Sequence, residues 1–158
     1  MSHYSIPGSY LPHDAPMILL DSVESVSDER AVCRVTVNDS GALAPFLSTT
    51  GALPGWFALE LMAQTVGVWS GWHRQQRGEQ QIALGMVLGA RELKCALPEF
   101  APGSVLEVAV SLLMQDDRIG SFDCTISSAG AVCASGRVNT FQPTAEELTT
   151  LFQQGASS

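Results

Sequence analysis

The sequence predicts an α+β fold in which one long helix packs on an antiparallel sheet. Three observations carry this. The apolar segment from Trp56 to Trp72 is too long for a strand. Runs with two-residue alternation flank it on both sides. The last three of these runs follow one another through links short enough for antiparallel hairpins. A chain of 158 residues accommodates a single core, so one domain over residues 1–158 is expected.

The elements follow in order. Residues 1–16 contain Pro7, Gly8, Pro12 and Pro16, which marks a loop, with residues 1–12 as an N-terminal arm. Residues 17–26 read as a first strand and residues 31–37 as a second, where Cys33, Val35 and Val37 alternate with Arg34 and Thr36. Residues 38–53 are rich in Asn, Asp, Ser, Gly and Pro, and form a long loop of the kind that often carries function. Pro54 opens the helix, which is expected to reach about Arg77, with Gly78 as its stop. Small residues at Ala63, Gly67, Ser70 and Gly71 suggest close approach to the sheet, and apolar residues on nearly every side of its first half suggest a buried helix. Four strand-like runs follow, over residues 82–94, 105–115, 119–128 and 131–141. A short terminal helix over residues 143–154 and a frayed tail complete the chain.

Composition narrows the function. Hydrophobic residues make up 46% and charged residues 15%, which fits a well-packed and possibly oligomeric protein. A net charge of −8 disfavours nonspecific nucleic-acid binding. No signal peptide or membrane span is expected. Cys33, Cys95, Cys124 and Cys133 form no C-x-x-C pair and no metal-ligand spacing with the histidines, so they are expected to be reduced, mostly core thiols of a cytosolic protein without a metal site.

Glu60 is the residue that points to chemistry. It lies near the start of the apolar helix, and a carboxyl group held among apolar groups is costly unless paired, neutral or useful. Burial would let it carry a proton near neutral pH. Gln64 lies one turn later, within reach of a hydrogen bond to it. The other reading of the same spacing is a glutamate on the solvent stripe of an amphipathic helix.

Three segments, residues 11–21, residues 53–64 and residues 99–106, resemble the bacterial β-hydroxyacyl-ACP dehydratases. Leu11-Pro12-His13-Asp14-Ala15-Pro16-Met17-Ile18-Leu19-Leu20-Asp21 resembles that family's entry into its first strand. Leu53-Pro54-Gly55 followed by Leu59-Glu60-Leu61-Met62-Ala63-Gln64 resembles its helix start. Glu99-Phe100-Ala101-Pro102-Gly103-Ser104-Val105-Leu106 resembles its connection into the fourth strand. The pattern is most similar to the ApeP-like subgroup associated with aryl-polyene pigments. The resemblance implies a hot-dog fold, with the antiparallel sheet wrapped around a long central helix. It also implies removal of water from a 3-hydroxyacyl thioester to give a trans-2-enoyl product in fatty-acid-like or aryl-polyene biosynthesis. The implied setting is a bacterial cytoplasm, with an acyl carrier protein or coenzyme A thioester as substrate, no cofactor beyond the phosphopantetheine carrier, and a homodimer or a heterodimer with a related subunit.

The chain departs from the family at the loop before the helix, where Phe46 stands at the position of the usual catalytic histidine. Candidate roles follow from the chemistry. Glu60 is the acid that protonates the departing hydroxyl. The Gly55 N–H, at the helix start, is the expected oxyanion donor. His13 is the candidate base, on its intrinsic pKa and its place in the entry motif. Gln64 supports Glu60, and Phe46 and Leu47 are candidate walls of an acyl tunnel as well as core anchors. Trp56, Phe57, Trp69 and Trp72 are expected to serve packing or subunit contacts. Arg74, Arg77, Arg91 and Lys94 form either a patch that steers an acidic carrier protein or scattered solvated charges. Two other functions stay open: an acyl thioesterase using the helix carboxylate and an activated water, and a non-catalytic subunit paired with an active hot-dog chain.

Overall fold

The computed structural model describes residues 4, 7, 10, 18–76, 78, 86–116, 119–141 and 146. Among the described residues, eight strands and one long helix follow in chain order: β1 (Ser22–Val26), β2 (Arg30–Thr36), β3 (Leu53–Pro54), α1 (Ala58–Gln76), β4 (Met86–Cys95), β5 (Glu99–Phe100), β6 (Val105–Gln115), β7 (Ile119–Ser128) and β8 (Ala131–Phe141). Six of the strands make one antiparallel sheet in the order β1-β2-β6-β7-β8-β4. This is the expected α+β arrangement of a sheet around a long helix.

The strand bounds of β6, β7 and β8 are those the alternation predicts. Leu106, Val108 and Val110 on β6 and Phe122, Cys124 and Ile126 on β7 all point into the core. The β7–β8 turn has Ala129 at φ 53° and Gly130 at φ 81°, the two left-handed residues that a type I′ hairpin needs to match strand twist. β1 begins at Ser22, later than expected; a backbone bond from Asp21 N to Arg34 O at 3.0 Å carries the contact with β2 one residue further, and side chains hold the chain around it. The Asp21 carboxylate accepts from Thr36 N at 2.8 Å and Ala42 N at 3.4 Å, and Leu19 N donates to Gln64 Oε1 at 2.8 Å. The third predicted run, over residues 82–94, is β4 and starts at Met86; residues 81–85 lie outside those described. The terminal helix and tail over residues 143–158 also lie outside them apart from Glu146, as does most of the arm.

A two-stranded pairing of β3 with β5 was not expected. It leads into a tight 3₁₀ turn, Gly55–Phe57, from which α1 continues. Gly78, at φ 81°, follows the helix as the predicted stop. α1 buries Leu61, Met62, Val66, Val68 and Trp69 in the cluster formed by the inner face of the sheet. Each such side chain contributes about 1.5–3 kcal/mol on burial, so this face fixes the helix on the sheet.

Two expectations about α1 need correction. Burial is confined to one side. Glu60 is exposed, and Ala63, Gly67, Ser70 and Arg74, which continue its line along the helix, are only half-buried. Ala63, Gly67 and Ser70 therefore do not serve the sheet contact, and Gly71 serves a different one: a Cβ there would collide with the backbone carbonyl of Tyr10, so this glycine admits Tyr10 against the helix. Trp69 packs edge-on against Phe122 at 5.3 Å, and His73 Nε2 lies 2.8 Å from Ser27 O. Cys33, Cys124 and Cys133 are buried as expected, whereas Cys95 is exposed. No helix among the described residues is long and apolar enough to cross a membrane.

Candidate active site

Gln64 organises the site. Its side chain is buried, and its amide oxygen accepts the backbone N–H of Leu19 at 2.8 Å. That bond fixes the amide's orientation and leaves Nε2 to donate to Glu60 Oε1 at 3.2 Å. The helical spacing of four residues brings these side chains together, as the sequence predicts. Leu19 adds a third member that the sequence did not suggest, since a backbone donor leaves no signature in residue type.

Glu60 itself reaches the surface of the single chain. The expectation that the apolar helix would enclose it is not met, because its neighbours along the helix belong to the half-open side. Trp56, one turn earlier, is 78% exposed. An exposed indole and an exposed carboxylate thus share one stripe at the front of α1.

Gly55 is buried, and its N–H donates to Pro98 O at 2.9 Å. It is therefore not the free oxyanion donor expected from its place at the helix start. The requirement for glycine has another cause. A Cβ here would sit 2.9 Å from both Leu97 O and Pro98 O, so the residue is small to let the β4–β5 connection close against the turn. The next amide along, that of Trp56, lies in the first turn, where N–H groups have no carbonyl ahead of them in the helix.

Phe46 ends the 3₁₀ turn Ala44–Phe46, and Leu47 follows as its cap. Both are half-buried against the core, and the Phe46 ring lies 5.4 Å from Phe57. The structure thus brings Phe46, Phe57, Trp56, Glu60 and Gln64 to one end of α1. His13 lies outside the described residues, so its distance from Glu60 is not part of this geometry. Of the basic residues, Arg91 and Lys94 lie exposed on β4, Arg74 is half-buried on the last turn of α1, and Arg77 is outside the described residues.

Burial disfavours the thiolate form of the buried cysteines. Burial pushes both Cys33 and Cys124 up to about 12. Cys133 is also raised, mainly by burial.

Comparison with known proteins fits this geometry. The family model described as ApeP dehydratase, of the ApeP-like group, matches residues 6–153. A chain of the dehydratase heterocomplex ApeI:P from Xenorhabdus doucetiae is 51% identical, with a TM-score of 0.90 over 95% of this chain and 99% of that one. The 3-hydroxyacyl-[acyl-carrier-protein] dehydratase FabZ of Bartonella quintana is 27% identical over 133 residues, 82% of this chain and 83% of that protein. A hypothetical thioesterase from Streptococcus pneumoniae TIGR4, solved with coenzyme A, is 17% identical with a TM-score of 0.58 over 77% of this chain and 84% of that one, a likeness of fold alone. The chain belongs to the ApeP-like dehydratases, hydro-lyases built on the hot-dog fold.

Proposed function

We propose that this chain dehydrates 3-hydroxyacyl groups carried on the phosphopantetheine arm of an acyl carrier protein, in the bacterial cytoplasm, without a further cofactor, and that it does so paired with a second hot-dog subunit. The observation that carries the pairing is the exposed Glu60, held in place by the Leu19–Gln64 bridge. A carboxyl group keeps a proton near neutral pH only where water is kept away. A single chain does not supply that cover; a subunit seated over the front of α1 does. The name of the 51% identical structure, a dehydratase heterocomplex, supports the same arrangement.

In the reaction a base removes a proton from the carbon next to the thioester carbonyl. The C–O bond at the third carbon then breaks. Glu60 gives its proton to the leaving hydroxyl, so that water departs and a trans-2 double bond remains. His13 is the base we assign within this chain, with a group of the second subunit as the alternative that Phe46 invites. The Trp56 N–H takes the oxyanion role in place of Gly55. Phe46 and Leu47 line the acyl path beside Phe57, as expected of a pocket that is mostly apolar.

The test is incubation with a 3-hydroxyacyl carrier protein, alone and with a second hot-dog subunit, following enoyl product and free thiol together. Dehydration predicts enoyl product that falls about 100-fold or more in Glu60→Gln while the melting temperature stays put. Thiol release without enoyl product overturns the reading in favour of a thioesterase. Full enoyl formation by Glu60→Gln, with the second subunit present, reduces this chain to a structural partner. His13→Ala with near-full activity moves the base to the second subunit.

A further inference from the structure

Asp21 closes the entry segment, and the proposed reaction makes no use of it. Its backbone N–H donates to Arg34 O on β2 at 3.0 Å, which pins the residue beside the sheet. Its carboxylate then reaches two amides. Oδ2 accepts from Thr36 N, at the end of β2, at 2.8 Å, and Oδ1 accepts from Ala42 N at 3.4 Å. Among the described residues, this last bond is the one hydrogen bond that ties residues 38–46 to a distant part of the chain. The others within the loop are local: Ser40 N donates to Asn38 Oδ1, Ala44 N to Gly41 O and Phe46 N to Leu43 O.

The grip leads directly to Phe46. Ala42 precedes Leu43, which is fully buried in the core and caps the 3₁₀ turn Ala44–Phe46. The Phe46 ring therefore rides on a tight turn that starts where the hold of Asp21 ends, and it comes to rest 5.4 Å from Phe57, ahead of Glu60. Gly41 lets the loop fold this closely, since a Cβ there would lie 2.7 Å from Asn38 Oδ1 and 3.5 Å from Asp21 Oδ1. Aspartate suits the place, because a carboxylate offers two acceptors and no donor on a short stem. Asparagine would turn an NH₂ group toward one of the two donors, and glutamate would reach a methylene too far. Asp21 is exposed, so water competes for both bonds. They govern where the loop sits more than how stable the fold is.

We infer that Asp21 is a positioning residue for acyl-chain selection: through Ala42 and Leu43 it holds Phe46 against the path of the acyl group, and so sets how well long chains bind. The inference rests on the reading that Phe46 lines that path. A wall that shifts loses contact with each methylene lying along it, so the shift weakens a long chain more than a short one. Glu60 is held separately, by the Leu19–Gln64 bridge. Loss of Asp21 should therefore act on the binding of long chains and spare the chemical step.

The experiment titrates the chain, paired with a second hot-dog subunit, with butyryl- and decanoyl-carrier protein. Neither probe has the hydroxyl that leaves, so both bind without dehydration. Asp21→Ala should weaken decanoyl binding about tenfold, the worth of about two methylene contacts, and butyryl binding by less than about twofold. In a Phe46→Ala chain the same substitution should change either affinity by less than about twofold, because the effect travels through that ring. Amide exchange should quicken over residues 36–46 and stay unchanged in α1. Equal losses for both probes, an Asp21 effect of full size without the Phe46 ring, or unchanged exchange over residues 36–46 each overturns the inference. So does a wild type that fails to bind decanoyl-carrier protein. Where Asp21→Ala melts well below wild type, Asp21→Asn decides in its place. It keeps one acceptor of the two and should give the same split between chain lengths at smaller size; no split overturns the inference. Enoyl formation from 3-hydroxyacyl substrates by wild type, with no split in the variants, removes the role of Asp21 and keeps the dehydratase reading. The split without enoyl product from any combination does the reverse.

Discussion

Replacing Gln64 with leucine tests the bridge that holds the candidate acid. Leucine has a similar shape, so the change removes hydrogen bonds without opening a large cavity. The main loss is at Leu19, whose N–H is buried and donates to Gln64 Oε1 at 2.8 Å. Leaving such a donor unsatisfied costs about 1–3 kcal/mol. The bond from Gln64 Nε2 to Glu60 adds little to stability, because Glu60 is exposed. A net loss of about 2 kcal/mol corresponds to a melting temperature lower by about 4–8 °C for a domain of this size. Melts must be compared at one protein concentration, since pairing adds stability by mass action. Turnover to enoyl product should fall about 10-fold or more, because Glu60 loses the contact that orients it. Gln64→Glu separates the two effects: it keeps an acceptor for Leu19 N–H but buries a second carboxyl against Glu60, so stability should be largely retained at low pH, where that carboxyl holds a proton, and fall as pH rises, while turnover falls and its pH profile moves. If Gln64→Leu melts within a degree of wild type and turns over at the wild-type rate, the bridge holds nothing.

Two further outcomes follow from the same geometry. Gly55→Ala should cost about 1–3 kcal/mol, read as a lower denaturant midpoint, because the new methyl meets the Leu97 and Pro98 carbonyls at 2.9 Å and both belong to backbone; an unchanged midpoint would show that the β3–β5 contact yields freely. In the isolated native chain, iodoacetamide followed by peptide mass spectrometry should find Cys95 labelled first. Raised pKa values mean less thiolate at neutral pH, so Cys33 and Cys124, pushed up to about 12, should label only on unfolding; early labelling of Cys33 would contradict its burial.

The sheet was more legible than the site. β6, β7 and β8 alternate strictly because one face is core and the other solvent, and their links are short, so pattern and pairing agree. β3 and β5 are two residues long and one of them contains a proline, too little for any period to show. On the helix, Ala63 and Gly67 count as apolar in a pattern yet sit on its open side, so the phase of the buried stripe was hidden. That ambiguity is why Glu60 looked enclosed. Its hydrogen bond to Gln64 needed only the four-residue spacing and was legible. The engagement of the Gly55 N–H was not, because it depends on Pro98, far along the chain.

The sheet order also governs how the chain can be made. β2 lies beside β6, and α1 is synthesised between them. When the helix leaves the ribosome, β1 and β2 are the sheet strands among the described residues already present. Leu61, Met62, Val66 and Trp69 must wait for β6, β7 and β8 before that face is covered. A nascent chain stalled after β5 therefore displays an apolar helix face with three of the six strands of its bed still to be made.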